Sequence, residues 1–267
     1  FLQFVYSTSV QQPEIGDYAR FYAVRSCISN KEADLDLASC FSLVVRGKKL
    51  PIGETLAKKV SMLDMNNDGI EDLVLISESN TLRIYLGSET GEWTLTSQSF
   101  PSMVKDYTLF DFNKDGCMDL AIAAPSEVHT YFNDGAANMS ITDSLFPPGA
   151  NEVIKSDDLD NKGTSDVVVG NTTGTMVKVN DEDGLTEEVQ YLDSGDTRMV
   201  VAEDLNGDGK KDLVTATETG ENVIWTKDAT GLYADTGQNI FTWGTESIEA
   251  QDVNGDGCVD LIVTDSD

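Results

Sequence analysis

Asp64, Asn66, Asp68 and Asp72 occupy positions 1, 3, 5 and 9 of a nine-residue stretch with Gly69 at position 6. Carboxylate and amide oxygens at that spacing suit a hard cation. Calcium takes about six to eight oxygen ligands at about 2.3–2.6 Å. Alternate side chains of a tight loop can converge on one such ion, and the glycine permits the turn that gathers them. The carbonyl of Ile70, at position 7, would add a backbone ligand.

The same phrase returns four times. Asp111, Asn113, Asp115, Cys117 and Asp119 form the second copy. Asp204, Asn206, Asp208, Lys210 and Asp212 form the fourth, and Asp252, Asn254, Asp256, Cys258 and Asp260 the fifth. The third keeps Asp158, Asp160 and Asp166 but carries Lys162 at position 5. The starts step by 47, 47, 46 and 48 residues, and a fixed period of this size signals a repeat architecture. An EF-hand would need a bidentate Glu at position 12 between helices. Here position 12 is Leu75, Ile122, Val169, Thr215 or Val263, within short β-branched runs. A metal-free Asx turn accounts for one copy readily, but poorly for four intact copies in register. Four calcium sites are therefore expected, and a fifth, weaker one at the third loop. There the Lys162 ammonium either folds inward to bridge Asp158, Asp160 and Asp166, or swings to solvent. Asp160 replaces the Asn found elsewhere and restores three carboxylates, which favours a bound but weaker ion.

The loops need elements that hold them. An alternating segment enters each one, as in Met103–Phe110 or Thr197–Ala202, and a buried apolar run leaves it, as in Asp72–Ile76. Third strands follow at Thr81–Leu86, Val128–Phe132, Thr175–Val179 and Asn222–Thr226, and a polar fourth strand at Glu92–Ser97. Four short strands per period, with no helical periodicity, predict an all-β propeller of four-stranded blades. Residues 1–267 read as a single domain. Residues 61–267 hold the loop repeats, and residues 1–60 a degenerate blade plus a closing strand, with strands at Phe1–Tyr6, Ala19–Val24 and Phe41–Arg46. Five loops plus that repeat give six blades.

Asp111–Asp119, running into Leu120-Ala121-Ile122-Ala123-Ala124-Pro125, resembles the calcium loop and Gly-Ala-Pro signature of the FG-GAP/VCBS repeats, which build the integrin alpha-chain propeller. The chain departs from that pattern in lacking the Phe-Gly half, in Lys162 and in residues 1–60. The resemblance implies a calcium-binding propeller, and it allows seven blades as well as six.

Composition narrows the setting. The net charge of −29 argues against nucleic acid and anionic membrane as partners. Fifteen of the 47 acidic residues lie at loop ligand positions, so bound calcium would neutralise charge where it is densest. No apolar run is long enough to span a bilayer. Weak calcium loops fill at extracellular calcium levels, which predicts a secreted or cell-surface protein, read as a mature segment without its targeting sequence. Sequons at Asn138 and Asn171 agree with that setting. Cys27 and Cys40 are close enough to close a short loop. Cys117 and Cys258, both at position 7, read as exposed and unpaired, with intermolecular disulfides as the alternative.

No nucleophile motif, phosphate loop or zinc-ligand pair is present, and His129, the one histidine, has no candidate nucleophile near it in sequence. A non-enzymatic protein is expected. Trp93, Trp225 and Trp243 are candidates for ligand recognition, although Trp93 and Trp225 fall in strands where packing is the commoner use. Two functions remain open. One is a recognition or adhesion module for a protein or glycan. The other is a building block whose partners are copies of itself.

Overall fold

The computed structural model describes residues 57–142, 146–181, 184–185, 188–192, 194–217, 221–241 and 245–265. The strands expected before residue 57, the Cys27–Cys40 pair and Trp243 lie outside these residues.

The described chain is all β, without a helix. Sheet one runs β1 (Ala57–Leu63), β2 (Asp72–Ser77), β3 (Leu82–Leu86) and β4 (Thr94–Leu95). Sheet two runs β5 (Asp106–Phe110), β6 (Asp119–Ala123), β7 (Val128–Asn133) and β8 (Met139–Ile141). In sheet three β9 (Asn151–Asp157), β10 (Asp166–Asn171) and β11 (Gly174–Lys178) precede a small hairpin, β12 (Asn180–Asp181) and β13 (Gly184–Leu185), before the fourth strand β14 (Gln190–Leu192). Sheet four runs β15 (Thr197–Glu203), β16 (Asp212–Thr217), β17 (Glu221–Lys227) and β18 (Tyr233–Phe241). The fifth sheet has two described strands, β19 (Thr245–Gln251) and β20 (Asp260–Asp265). Each four-stranded sheet is an antiparallel meander in chain order. The acidic loop always joins its first strand to its second.

Two expected strands are shorter. The fourth strand of sheet one keeps Thr94–Leu95 of Glu92–Ser97. The strand entering the second loop begins at Asp106 rather than Met103, because Met103 adopts φ 64°. The chain crosses there from sheet one to sheet two, with Val104 N–H on Asn80 O and Lys105 N–H on Ala123 O.

Second strands are buried along their length in sheets one to four. Side chains alternate across a strand, so each second strand feeds both of its faces. Val74 and Ile76 join Leu120, Ile122 and Tyr107 between sheets one and two, whereas Leu73 and Leu75 pack with Tyr85 and Trp93 on the opposite face. Between sheets two and three lie Phe110, Ala121, Ile154 and Val169, and between three and four lie Val168, Val200, Leu213 and Trp225. Val214 and Ala216 then meet Ile248 of the fifth. The core is thus a series of clusters, one at each joint. First strands also touch in succession, β5 with β9, β9 with β15 and β15 with β19.

Position 2, an apolar residue in all five copies, plugs the joint to the following sheet in the first four loops. Met65, Phe112 and Leu159 are buried in the first three clusters, and Leu205 packs against the next. Val253, in the fifth loop, is 59% exposed. Leu159→Ala is expected to cost about 2–5 kcal/mol in a denaturant melt, the usual range for emptying a core site. Val253→Ala should stay within about 0.5 kcal/mol, as surface changes do. Equal effects at the two positions would contradict this reading of the joints.

Candidate metal loops

All five loops share one backbone scaffold. The position-1 carboxylate accepts the N–H of position 6: Gly69 on Asp64, Gly116 on Asp111, Gly163 on Asp158, Gly209 on Asp204 and Gly257 on Asp252, at 2.8–2.9 Å. Position 5 accepts the N–H of position 7 in the four intact loops, through Asp68, Asp115, Asp208 and Asp256. Position 3 accepts the N–H of position 5, with Asn66 Oδ1 taking Asp68 N–H at 3.2 Å and Asp160 Oδ1 taking Lys162 N–H at the same distance. Positions 4 and 6 are both left-handed. Gly69, Gly116, Gly163, Gly209 and Gly257 lie at φ 82–88°, and Asn67, Lys114, Asn161, Gly207 and Gly255 at φ 56–78°. Glycine at position 6 was the visible half of that requirement. Position 4 also uses Asn, which tolerates this region, and Lys114, which does so at a cost of about 1 kcal/mol.

Position 9 is the buried end. Asp72, Asp119, Asp166 and Asp212 are 0% exposed. Each accepts two backbone N–H groups. One comes from position 2 of its own loop: Met65, Phe112, Leu159 or Leu205. The other comes from beside or within the end of the third strand or just past it: Gly87, Asn133, Asn180 or Lys227. Burial pushes all four carboxyls above their usual range, opposed by those N–H donors and assisted by acidic neighbours. Asp166 rises to about 6. Asp260 is half-buried and accepts Val253 N–H at 3.1 Å. At the exposed ends Asp115, Asp204 and Asp256 are held below their usual range, foremost by a loop N–H.

Among the described residues, carboxylate oxygens come within 4.8 Å of one another in threes at Asp158, Asp160 and Asp166. The irregular third loop is therefore the most tightly gathered. Elsewhere position 3 is an amide, and Asn66 and Asn113 turn their Nδ2 onto Asp68 and Asp115 at 2.9 Å. Lys162 follows neither expected arrangement in full. Its side chain stays 63% exposed at the rim, with Nζ 2.8 Å from Asp160 Oδ2. A residue that sequence reasoning missed faces the same loop from the next sheet. Lys227, 5% exposed, donates through Nζ to Leu159 O at 2.8 Å. The available signal was positional: Lys227 stands in repeat register with Asn133 and Asn180.

The donor sets fit a hard divalent cation. At positions 1, 3, 5 and 9 the four intact loops offer carboxylate and amide oxygens alone, and the third offers three carboxylates with Lys162 at position 5. Ile70, Cys117 and Lys210, at position 7, are half-buried and Cys258 is exposed. Uniform exposure was expected. Instead adjacent loops lean together, with Asn67 Nδ2 3.4 Å from Cys117 Sγ and Asn161 Nδ2 on Gly209 O. Cys117 and Cys258 are free thiols. His129 faces Glu127 at 3.4 Å. Trp225 is a core residue whose Nε1 donates to Thr215 Oγ1. Of the two sequons, Asn138 is exposed, whereas Asn171 is 7% exposed with Oδ1 taken by Thr173 and Gly174.

A family model described as FG-GAP-like repeat matches residues 64–122, 158–215 and 204–263, more than half of the chain. The chain belongs to the FG-GAP-like repeat family. No curated protein matches it. Among solved structures, this FG-GAP-like chain is similar to an Agrocybe aegerita lectin that recognises non-reducing terminal N-acetylglucosamine, with TM-score 0.52 and 16% identity over 77% of this chain. The match covers 60% of the lectin, and at that identity the likeness concerns the fold. BBS1N in complex with ARL6DN matches at TM-score 0.49 and 15% identity, over 79% of this chain and 77% of that one. The V. cholerae biofilm matrix protein Bap1 matches at 0.41 and 15%, over 76% and 34%.

The raised carboxyl of Asp166 has a signed consequence. In chelator its pKa is about 6 when folded, against an ordinary 3.8. The folded chain thus holds this proton more tightly, and the contribution to stability is greatest at the acid end and declines as pH rises through about 6. Asp166→Asn lacks that titration. Melts in chelator from pH 4 to 7 should show the native chain losing stability relative to the variant as pH rises. A flat difference would refute the assignment.

Proposed function

We propose that this FG-GAP-like chain is a calcium-stabilised, six-bladed β-propeller that serves as a non-catalytic recognition or adhesion module outside the cell. The observation that carries this reading is the fivefold recurrence of one oxygen-rich loop at the same strand junction. Asp64, Asn66, Asp68 and Asp72 would hold the ion in the first loop, with the Ile70 carbonyl. The second, fourth and fifth loops would do so through the corresponding residues, and Asp158, Asp160 and Asp166 would hold a weaker fifth ion. Calcium supplies the charge that offsets repulsion among three carboxylates per loop. Millimolar calcium, the level at which weak loops fill, supports an extracellular setting.

The partner in this reading is a protein or a glycan. A surface groove of about 430 Å³ at sheet three, lined by residues that include Pro147, Thr173, Met176, Leu192 and the 65% exposed Tyr191, offers that tyrosine as an aromatic surface for a ring. The fold likeness to a lectin is compatible with that choice. The alternative, a building block of an extracellular assembly, is favoured by the exposed thiol of Cys258.

Exhaustive chelation should lower the melting temperature, calcium should restore it, and magnesium, which demands a smaller octahedral shell, should restore it poorly. Calcium titration should show four comparable sites and one weaker, and Lys162→Asp should strengthen the weak one. An unchanged melt after chelation would overturn the calcium reading. A glycan array on the calcium-loaded protein separates the two functional readings. Binding weakened at least tenfold by Tyr191→Ala supports recognition, whereas disulfide-linked polymers in native material support assembly.

A further inference from the structure

Loop three differs from its neighbours by compensating charges that come from two different sheets. Asn133 and Lys227 do the same job one repeat pair apart. Each places its backbone N–H on the last aspartate of its own loop, Asp119 or Asp212. Each then reaches back with its side chain to the position-2 carbonyl of an earlier loop. Asn133 Nδ2 donates to Met65 O at 2.8 Å and Lys227 Nζ to Leu159 O at 2.8 Å, both across 68 residues. At the first loop the reaching group is a neutral amide. At the third it is a buried ammonium, 5.1 Å from the centre of the Tyr233 ring. Burial holds the Lys227 ammonium below its usual range, opposed by Asp166, Asp160 and Asp158 and assisted by Lys162. The third loop also holds Asp160, where its neighbours have Asn, and Lys162, where they have Asp.

We propose that Lys227 is a built-in counter-cation of the third loop, so that this loop keeps its form without a divalent ion and fills last. The formal charges carry the argument. Loop one gathers three carboxylates with no cation on its position-2 carbonyl. Loop three gathers three carboxylates with Lys162 on its rim and Lys227 beneath it. An ammonium held on the loop's own Leu159 carbonyl weakens any cation entering beside it, because like charges repel strongly in a partly buried site. The same ammonium steadies the carboxylates when no ion is there. Since Lys227 belongs to sheet four and the loop to sheet three, the joint between those sheets is the one that outlasts calcium withdrawal.

The inference rests on the calcium reading, and its test separates the two. Lys227→Gln keeps a donor of similar reach and removes the charge. It should strengthen the weakest calcium site about tenfold in a titration. In chelator it should melt several degrees below the native chain, but close to it in saturating calcium. Adding Asp160→Asn, which recreates the amide pairing of loop one, should recover the chelated melt. Lys227→Arg, which keeps the charge, should leave both readouts near native and guards against a general packing defect. An unchanged weak site, or an equal loss of melting temperature with and without calcium, would overturn the inference. If no loop binds calcium, the calcium reading falls. The chelator melts then decide alone, with loss in Lys227→Gln and recovery in the double variant supporting the counter-cation role and no such pattern refuting it.

Discussion

The structure depends on a buried carboxylate that accepts two backbone N–H groups. Asp72, Asp119, Asp166 and Asp212 each begin a second strand in the interior, where an unpaired carboxylate would cost several kcal/mol. Two N–H donors make the placement tolerable. They also tie three points of the chain together: the second residue of the loop, the start of the second strand and the end of the third. The N–H bond at position 2 turns that residue's side chain into the next joint, where Met65, Phe112 and Leu159 are buried. One side chain therefore links loop shape, strand register and the packing of adjacent sheets. A loop that changed shape would withdraw its plug from the core.

First strands are held together by a second system, which is polar. Lys105, Glu152 and Arg198 stand in repeat register, and Glu152 pairs with both cations at 2.9–3.0 Å. Asp106 receives Lys59 Nζ from sheet one and Ile154 N–H from sheet three. These half-exposed pairs contribute modestly one by one. Their effect is to tie each first strand to the next, from sheet one through sheet four.

Much of this was legible in the sequence, for a definable reason. The loop phrase fixes where a first strand ends and a second begins. Buried runs such as Asp72–Ile76 then set strand length, and turn residues place the third strands within a residue or two. What escaped was information carried between repeats. The apolar residue at position 2 is conspicuous only once each loop is known to face the following sheet. Lys227 is an ordinary strand-end lysine until sheet four is set against loop three. The fourth strands were hardest, since each gives at most one or two residues to the core, such as Met139, Leu192 and Tyr233, and no ligand to a loop. Thr94–Leu95 is two residues long, and Tyr233–Phe241 is nine with a bulge.

Serial joints make such divergence affordable. In a single shared core, adding a lysine beside three carboxylates would disturb packing everywhere. Here each cluster between sheets draws on two adjacent sheets and one loop, so a change is felt at one joint and can be compensated there. The third loop shows three departures within one such neighbourhood: Asp for Asn at 160, Lys for Asp at 162 and Lys for Asn at 227. Taken singly, each would unbalance the loop. Together they exchange an anionic cradle for one whose charge is largely internal. On the proposed calcium reading, metal dependence would therefore be a property of individual joints, set by the cations that the following sheet supplies.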